Sequence, residues 1–358
     1  MKKINWWNSI FTNKDFKELS KAYFNKNISQ GAVTYKFEKL ISKFLDIKYT
    51  IAVSNGSSAL LMSLICLGIN KNHEVIIPNR SWIAPANACN ILGAKVVIAD
   101  TQEDLPILNV EKIINKITKK TKAIIPVHLN GRSSDMLLLK KIAKKNDIFI
   151  IEDAAQAFGS KNKFGFLGTQ SDLGCFSLSV AKIISSGQGG FIVTNTKKYA
   201  DKLRLIRTHG VAQVENIEKW KNIGFNFRIT DLQSALAIQQ LYKFNKNKKH
   251  LLKIYKIYRD EISNPNFIHI PVDTNSGEIP VYNEFLVKNR KKAIKILLQN
   301  NIITRPFYPD ILSADYLFKN NKRNYKVSKF SKYGLYLPSG TNQSIANVMK
   351  CVSIINSI

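Results

Sequence analysis

Lys182 sits in the run SLSVAKIISSGQGG, among apolar and small residues, with Gly187, Gly189 and Gly190 close behind it. Other lysines of the chain lie in plainly solvated stretches such as KKIAKKND. Desolvation lowers the pKa of an amine and exposes a nucleophile, which is what Schiff-base chemistry requires. A surface-loop lysine is the competing reading. Asp153 closes the apolar run DIFIIED and is followed by Ala154, Ala155 and Gln156. A carboxylate at the end of a buried strand needs a partner: helix N–H groups, a metal, or a cationic ring nitrogen. The five histidines form no ligand-spaced pair, which argues against the metal. Ser54-Asn55-Gly56-Ser57-Ser58 opens directly onto an apolar helix. Backbone N–H groups and two hydroxyls there meet a positive helix terminus, a seat for phosphate, although Ser57 could equally be only an N-cap. Trp82, in Asn79-Arg80-Ser81-Trp82, could stack on a flat ring or pack as core.

These four elements cohere chemically. A phosphate seat, a stacking aromatic, a carboxylate for a pyridinium nitrogen and an imine-forming lysine together describe a site for pyridoxal phosphate. The carboxylate keeps the ring nitrogen protonated, so the ring accepts electrons. The lysine holds the cofactor, is released by an incoming amine and then moves the proton.

Such groups must be placed by a scaffold. YTIAV, EVIIP, AKVVIAD, KAIIPV and DIFIIED are short apolar runs bounded by turns, as expected of strands buried on both faces of a mostly parallel sheet. Helical patterns of period 3.6 alternate with them, including SSALLMSLICLG and DMLLLKKIAKKN. The result is an α/β fold in which helices sandwich the sheet and loops at the strands' carboxyl ends carry the chemistry. GCFSLS and GGFIVTN add two strands, and KKYADKLRLIRTHG a helix. The stretch from Thr230 to Ile262 reads as a long, bent helix leading into a smaller unit. That unit contains FIHIP, VYNEFLV, the helix RKKAIKILLQNN and a last helix near Ser344–Ser357. The expected division is a large α/β domain over 1–240 and a C-terminal α+β domain over 241–358.

The chain has 358 residues, 45% of them apolar, enough for a large core, so disorder and a disulfide-stapled miniprotein are excluded. Cys66, Cys89, Cys175 and Cys351 are far apart and read as buried, reduced thiols. No apolar run reaches the roughly 20 residues that span a bilayer, and MKKINWWNSIFTNKDF is a poor signal peptide, so a cytoplasmic protein is expected. Lysine and arginine number 54 against 25 acidic residues, a formal net charge of +29. The basic clusters Lys246-Asn247-Lys248-Lys249 and Lys322-Arg323 lack interleaved aromatics, so compositional bias is favoured over nucleic-acid binding. A positive field would still draw in anionic small molecules. No G-x-G-x-x-G comes after the first strand and no P-loop occurs.

The chain resembles the DegT/StrS nucleotide-sugar aminotransferases, which are fold-type I pyridoxal phosphate enzymes. The motifs are SNGSSAL, IPNRSWIAPANACNILGAKVV, IPVHLNGRSSDM, IEDAAQAFGS, LGCFSLSVAKIISSGQGGFIVTN and GFNFRITDLQSALAIQQL, in family order from about Gly31 to the last helix. The resemblance implies that Lys182 is the Schiff-base lysine and proton shuttle and that Asp153 binds the pyridine nitrogen. It further implies Gln156 on the ring hydroxyl, Trp82 on the ring face, and Gly56, Ser57, Ser58 and Ser177 on the phosphate. Asn226 would reach the cofactor of a neighbouring subunit in a homodimer with shared active sites. Arg228 is expected near that shared site, as a candidate for contact with the substrate's phosphates. ITRPFYPDI is similar to a segment of perosamine-synthase-like members, making Arg305 and Tyr308 candidates for sugar or phosphate contact, with a structural salt bridge the alternative for Arg305.

Phe158, Gln188 and the pair Leu178-Ser179 depart from the common family pattern and are expected to line or flank the sugar pocket. The expected activity is transfer of the amino group of L-glutamate to a nucleotide-diphosphate keto-sugar, for cell-surface glycan synthesis. No metal, nucleic acid or membrane insertion is expected. The alternatives are a sugar dehydratase or a non-catalytic regulator on the same fold, and a basic binding protein. Family members with His in place of the lysine are dehydratases; this chain has lysine.

Overall fold

The computed structural model describes residues 3–212, 219–318 and 326–358; the Lys322-Arg323 cluster lies outside them. Five apolar runs become strands β1 (Tyr49–Val53), β2 (Glu74–Pro78), β3 (Lys95–Ala99), β4 (Thr121–Ile124) and β5 (Phe149–Asp153). A short hairpin comes next, β6 (Lys161–Asn162) and β7 (Gly165–Phe166), then β8 (Leu173–Ser177) and β9 (Gly190–Thr194). The main sheet has seven strands in the order β1-β9-β8-β5-β4-β2-β3. β9 runs against both its neighbours, and the remaining pairings are parallel.

Alternation along each strand divides the core. In β1, Ile51 and Val53 pack with α3 (Gly56–Cys66), α4 (Ala84–Ile91) and α6 (Lys197–Arg207), whereas Ala52 faces the opposite cluster. In β9, Phe191 and Val193 join that opposite cluster with α2 (Ala32–Leu45) and α7 (Asp231–Tyr242), leaving Ile192 on the first side. Both faces are therefore covered, as a buried parallel sheet demands. α5 (Met136–Lys145) packs over β2, β4 and β5. Two further helices, α1 (Asn13–Phe24) and α2, have no counterpart among the elements expected from the sequence.

The long helix breaks at Lys243, between α7 and α8 (Phe244–Glu261). Beyond it, β10 (Phe267–His269), β11 (Asn283–Val287), β12 (Arg305–Pro306) and β13 (Gly334–Leu337) form an antiparallel sheet in the order β10-β11-β13-β12. Helices α8, α9 (Arg290–Gln299) and α11 (Ile345–Asn356) cover one face of it, and a single short turn of helix, α10 (Lys329–Tyr333), precedes β13. The N-terminal segment joins this second unit, not the main sheet. Ile4 bridges Ile302, and Trp7 bridges Ser339.

Two buried ion pairs lock the units together. Arg132, after β4, donates to Glu284 of β11 at 2.5 Å and to the carbonyls of Pro271 and Ile270. Arg80, after β2, donates to Asp310 at 3.0 Å and to the Tyr308 carbonyl at 2.8 Å. Breaking such a pair strands a charge in the interior, whereas an apolar pair of similar volume is tolerated. Arg132→Met alone should cost on the order of 3–5 kcal/mol. Arg132→Met with Glu284→Leu should recover most of the loss in denaturant titration, and equal destabilisation of both proteins would refute the clamp.

Candidate active site

A cavity of about 380 Å³ opens at the carboxyl ends of the parallel strands. Gly56, Ser57, Trp82, Asp153, Gln156, Ser177, Lys182, Arg305 and Tyr308 all line it. Segments far apart in the chain thus bring most of the expected residues to one concave surface. The loop after β5 supplies Asp153 and Gln156, the loop after β8 supplies Lys182, and the second unit supplies Arg305 and Tyr308.

Lys182 is held through its backbone, not its side chain. The Tyr282 hydroxyl donates to the Ala181 carbonyl at 2.8 Å, and Asn247 donates to the Ile183 carbonyl at 3.0 Å. Ser9 adds a bond to the Val180 carbonyl. Ile183 and Ile184 anchor the loop in the core. The amine is left to face the cavity. Burial lowers its pKa to about 8, the positive charge of Arg305 acts in the same direction, and Asp153 partly offsets both. The surface-loop reading of Lys182 is thereby set aside.

Asp153 responds in the opposite sense. Burial pushes its carboxyl above the usual range, while the Ala155 N–H, 3.1 Å from Oδ1, and the charges of Lys182 and His128 pull it back. Its backbone is fixed by the sheet, donating to Pro126 and accepting from His128. Beneath it, His128 and Glu152 form a fully buried pair at 2.9 Å. Burial raises the Glu152 carboxyl, but hydrogen bonds from His128, Gly168, Gln170 and Ser171 outweigh it and leave the carboxyl below its ordinary range. His128 Nδ1 and the Ser81 hydroxyl are buried with no hydrogen-bond partner among the described residues. In the sequence His128 counts only as a non-ligand. Its place just beyond the β4 apolar run is the signal that could have marked it.

The helix terminus is built by close approach. A Cβ on Gly56 would stand 3.0 Å from the Ser177 Cβ, and one on Gly190 would meet the Asn55 carbonyl carbon at 2.7 Å. The N-terminus of α3 therefore rests against the ends of β8 and β9. Asn55 is the N-cap, accepting from the Ser58 N–H at 2.8 Å. Ser58 does not reach the cavity, because its N–H goes to Asn55 and its hydroxyl pairs with Ser54 at 3.0 Å. Gly56 and Ser57 are left with the exposed N–H groups at the positive terminus. Gln156 Oε1 accepts from the N–H of Asn130, which stands in the left-handed region at φ 54°.

Trp82 is 50% exposed, so it is not a core residue, and its ring meets Tyr308 edge-on at 5.8 Å. Burial lifts the Tyr308 phenol to about 12, which keeps it a proton donor at neutral pH. Arg305 has no acidic partner among the described residues, which removes the salt-bridge reading; its guanidinium lies 4.9 Å from the Trp6 ring centre and 5.7 Å from that of Trp82. Asn226 and Arg228 do not line this cavity. Arg228 donates to Asn226 at 2.9 Å on an exposed stretch. Two of the family departures also lie elsewhere than expected. Phe158 stacks on Phe44 at 5.0 Å inside the core, and Leu178 is fully buried, while Ser179 and Gln188 do line the cavity. Trp6, Tyr282 and Tyr336 complete the wall without any sequence signal of their own.

All four cysteines are free and buried. Among the described residues no cluster suited to a metal occurs, and no helix is long and apolar enough to cross a membrane. An amine of lowered proton affinity facing a desolvated carboxylate, with free N–H groups at one end, fits a flat, cationic, phosphorylated aldehyde.

Comparison with known proteins agrees. Residues 10–355 match the model of the DegT/DnrJ/EryC1/StrS aminotransferase family. The GDP-perosamine synthase of Escherichia coli O157:H7 is 38% identical over 232 residues, 64% of this chain and 63% of that protein. The GDP-perosamine synthase of Vibrio cholerae is 32% identical over 323 residues, 87% of this chain and 86% of that protein. A solved DegT DnrJ EryC1 StrS aminotransferase from Brucella abortus superposes with a TM-score of 0.88 at 26% identity, covering 96% of this chain and 95% of that one. The chain belongs to the DegT/DnrJ/EryC1/StrS aminotransferase family, and is a pyridoxal phosphate-dependent aminotransferase.

Proposed function

We propose that this enzyme moves the amino group of L-glutamate to the keto carbon of a nucleotide-linked deoxysugar, in two half-reactions at one cavity, supplying amino sugar for cell-surface glycan. The observation that carries this reading is Lys182, whose amine has a pKa lowered to about 8 and shares a cavity with Asp153. When bound, pyridoxal phosphate supplies the electron sink that makes a proton beside nitrogen removable. Asp153 holds the ring nitrogen, and a cation there relieves the cost of its burial. Gln156 contacts the ring hydroxyl and Trp82 covers the ring. Gly56, Ser57 and Ser177 receive the phosphate, with Ser58 acting behind them through Ser54. Lys182 takes the proton from the donor carbon and returns it to the acceptor. Relatives named GDP-perosamine synthase support a nucleotide-sugar acceptor.

Asn226 and Arg228 belong, in this reading, to the site of a second copy. They lie outside their own cavity, and Trp220, Ile223 and Phe225 beside them are 72%, 74% and 53% exposed. Exposed large apolar groups in one short segment mark a contact surface. The enzyme is then a cytoplasmic homodimer whose two units divide near residue 240, with the segment around Trp6 reaching across to the C-terminal sheet.

Four experiments test this reading. Glutamate added to the purified enzyme should bleach its visible absorbance and release 2-oxoglutarate, and ¹⁵N should then pass from glutamate to a keto-sugar on a UDP, dTDP or GDP carrier. The neutral amine is the nucleophile, so cofactor uptake by cofactor-free protein should accelerate with pH up to about 8 and level off above it. Uptake that keeps climbing to pH 10 would show an ordinary lysine. Lys182→Ala should abolish turnover while still binding cofactor non-covalently, and normal turnover would refute the assigned role. Mixing those subunits with Arg228→Ala subunits should restore activity that neither has alone, because one hybrid site is intact. No recovery in verified hybrids would argue against shared sites.

A further inference from the structure

Arg305 is the second cation of the cavity, and it is built differently from the first. Its backbone is pinned in β12, opposite Tyr336 of β13. Its guanidinium is flanked by Trp6 at 4.9 Å and Trp82 at 5.7 Å. No carboxylate among the described residues neutralises it, although Arg80 and Arg132, the buried arginines that lock the two units, each have one. A guanidinium flanked by aromatic rings keeps its N–H edge for a ligand in its own plane, and a carboxylate or phosphate matches that edge with two parallel hydrogen bonds.

Two anionic substrates visit the cavity in the proposed reaction, and their geometry separates them. In glutamate the α-carboxylate is attached to the very carbon whose amine reacts. In a nucleotide sugar the phosphates lie across the sugar ring from the keto carbon. Arg305 is near enough to Lys182 for its charge to weaken the hold of that amine on its proton. An anion on Arg305 is therefore one carried close to the reacting nitrogen. Asp153, the one acidic residue among the described cavity wall, is occupied with the cofactor in this reading.

We propose that Arg305 is the receptor for a carboxylate of the amino donor, and that Trp6, from the N-terminal segment, is the positioning residue that aims it. This deepens the transaminase reading and rests on it for the identity of the donor. Trp6 is itself held in place: its ring contacts Tyr282 at 6.1 Å and Tyr336 at 6.4 Å, and its carbonyl accepts from the Ser339 N–H at 2.8 Å.

The test uses the cofactor-loaded enzyme and glutarate, a dicarboxylate with no amine to transfer, with binding measured by calorimetry. Wild type should bind glutarate, and Arg305→Gln should bind it roughly ten- to a hundredfold more weakly, as expected for lost charge-assisted hydrogen bonds. Arg305→Lys keeps the charge but not the fork and should fall between them. Trp6→Ala should weaken binding several-fold, and Trp6→Phe should restore most of it, which a merely structural loss at this position would not do. In the half-reaction with glutamate the loss in Arg305→Gln should appear chiefly in KM. The pH at which cofactor uptake levels off should rise in the same variant. Failure of wild type to bind glutarate, or equal affinity in wild type and a folded Arg305→Gln, overturns the proposal. A KM increase confined to the keto-sugar also overturns it and assigns Arg305 to the acceptor. If wild type binds glutarate through Arg305 but glutamate leaves the absorbance unchanged, the receptor stands and glutamate is not the donor.

Discussion

Two opposite charges, each stripped of water, face one cavity: the amine of Lys182 and the carboxylate of Asp153. Burial drives the amine toward neutrality and the carboxyl toward protonation, while each charge pulls the other back. Neither group reaches this state on an ordinary surface. The amine must be neutral enough to attack a carbonyl, and the carboxylate must be poor enough in solvent to welcome a cationic ring. Most of what the large unit does structurally can be understood as holding these two groups in place without satisfying them.

That holding is achieved through backbone. Asp153 ends a central strand whose register is set on both sides, so its position carries the rigidity of the whole sheet. Lys182 lies in irregular chain, and its neighbours' carbonyls are tied to Tyr282, Asn247 and Ser9. Those three donors come from different parts of the sequence, and the loop is thereby fixed from outside. The fully buried His128–Glu152 pair stands beside Asp153, Glu152 being the preceding residue of the same strand. Close packing of Gly56 against Ser177 brings the α3 terminus to the same opening. A helix terminus, a strand end and a tied loop meet within one cavity because glycine leaves room for them to do so.

The parts legible in the sequence are those with a local cause. Buried parallel strands read as continuous apolar runs, and chemistry at their carboxyl ends is a consequence of topology. Asp153 and Ser177, the last residues of their strands, and Ser57 and Lys182, a few residues past theirs, are therefore all visible in the sequence. Ser58 is not so easily placed, because a capping asparagine beside it claims its N–H, a competition invisible in the residue types alone. Phe158 reads as a pocket residue because it stands two places after Gln156, yet the turn after β5 sends it into the aromatic core beside Phe44. Trp6 and Tyr336 carry no signal. Their arrival depends on an N-terminal segment adding to a sheet formed about 300 residues later, and no periodicity within either segment encodes that pairing.

The cavity therefore has two origins, and they constrain different things. One half is made of strand ends in the main sheet, where a shift of one residue would reverse every neighbouring side chain. Its other half is made of Trp6, Tyr282, Arg305, Tyr308 and Tyr336, carried by a small antiparallel sheet and a terminal segment. Buried ion pairs lock the two halves together at Arg80–Asp310 and Arg132–Glu284, away from the reacting groups. Side chains on the second half can change without disturbing the electrostatics around Lys182, except at Arg305, whose charge reaches that amine. The walls of the second unit and the electrostatics of the amine are thus separate almost everywhere in this site and coupled at one residue. In the proposed reaction that coupling has a use: an anion docked on Arg305 would offset its charge and so strengthen the hold of the Lys182 amine on its proton.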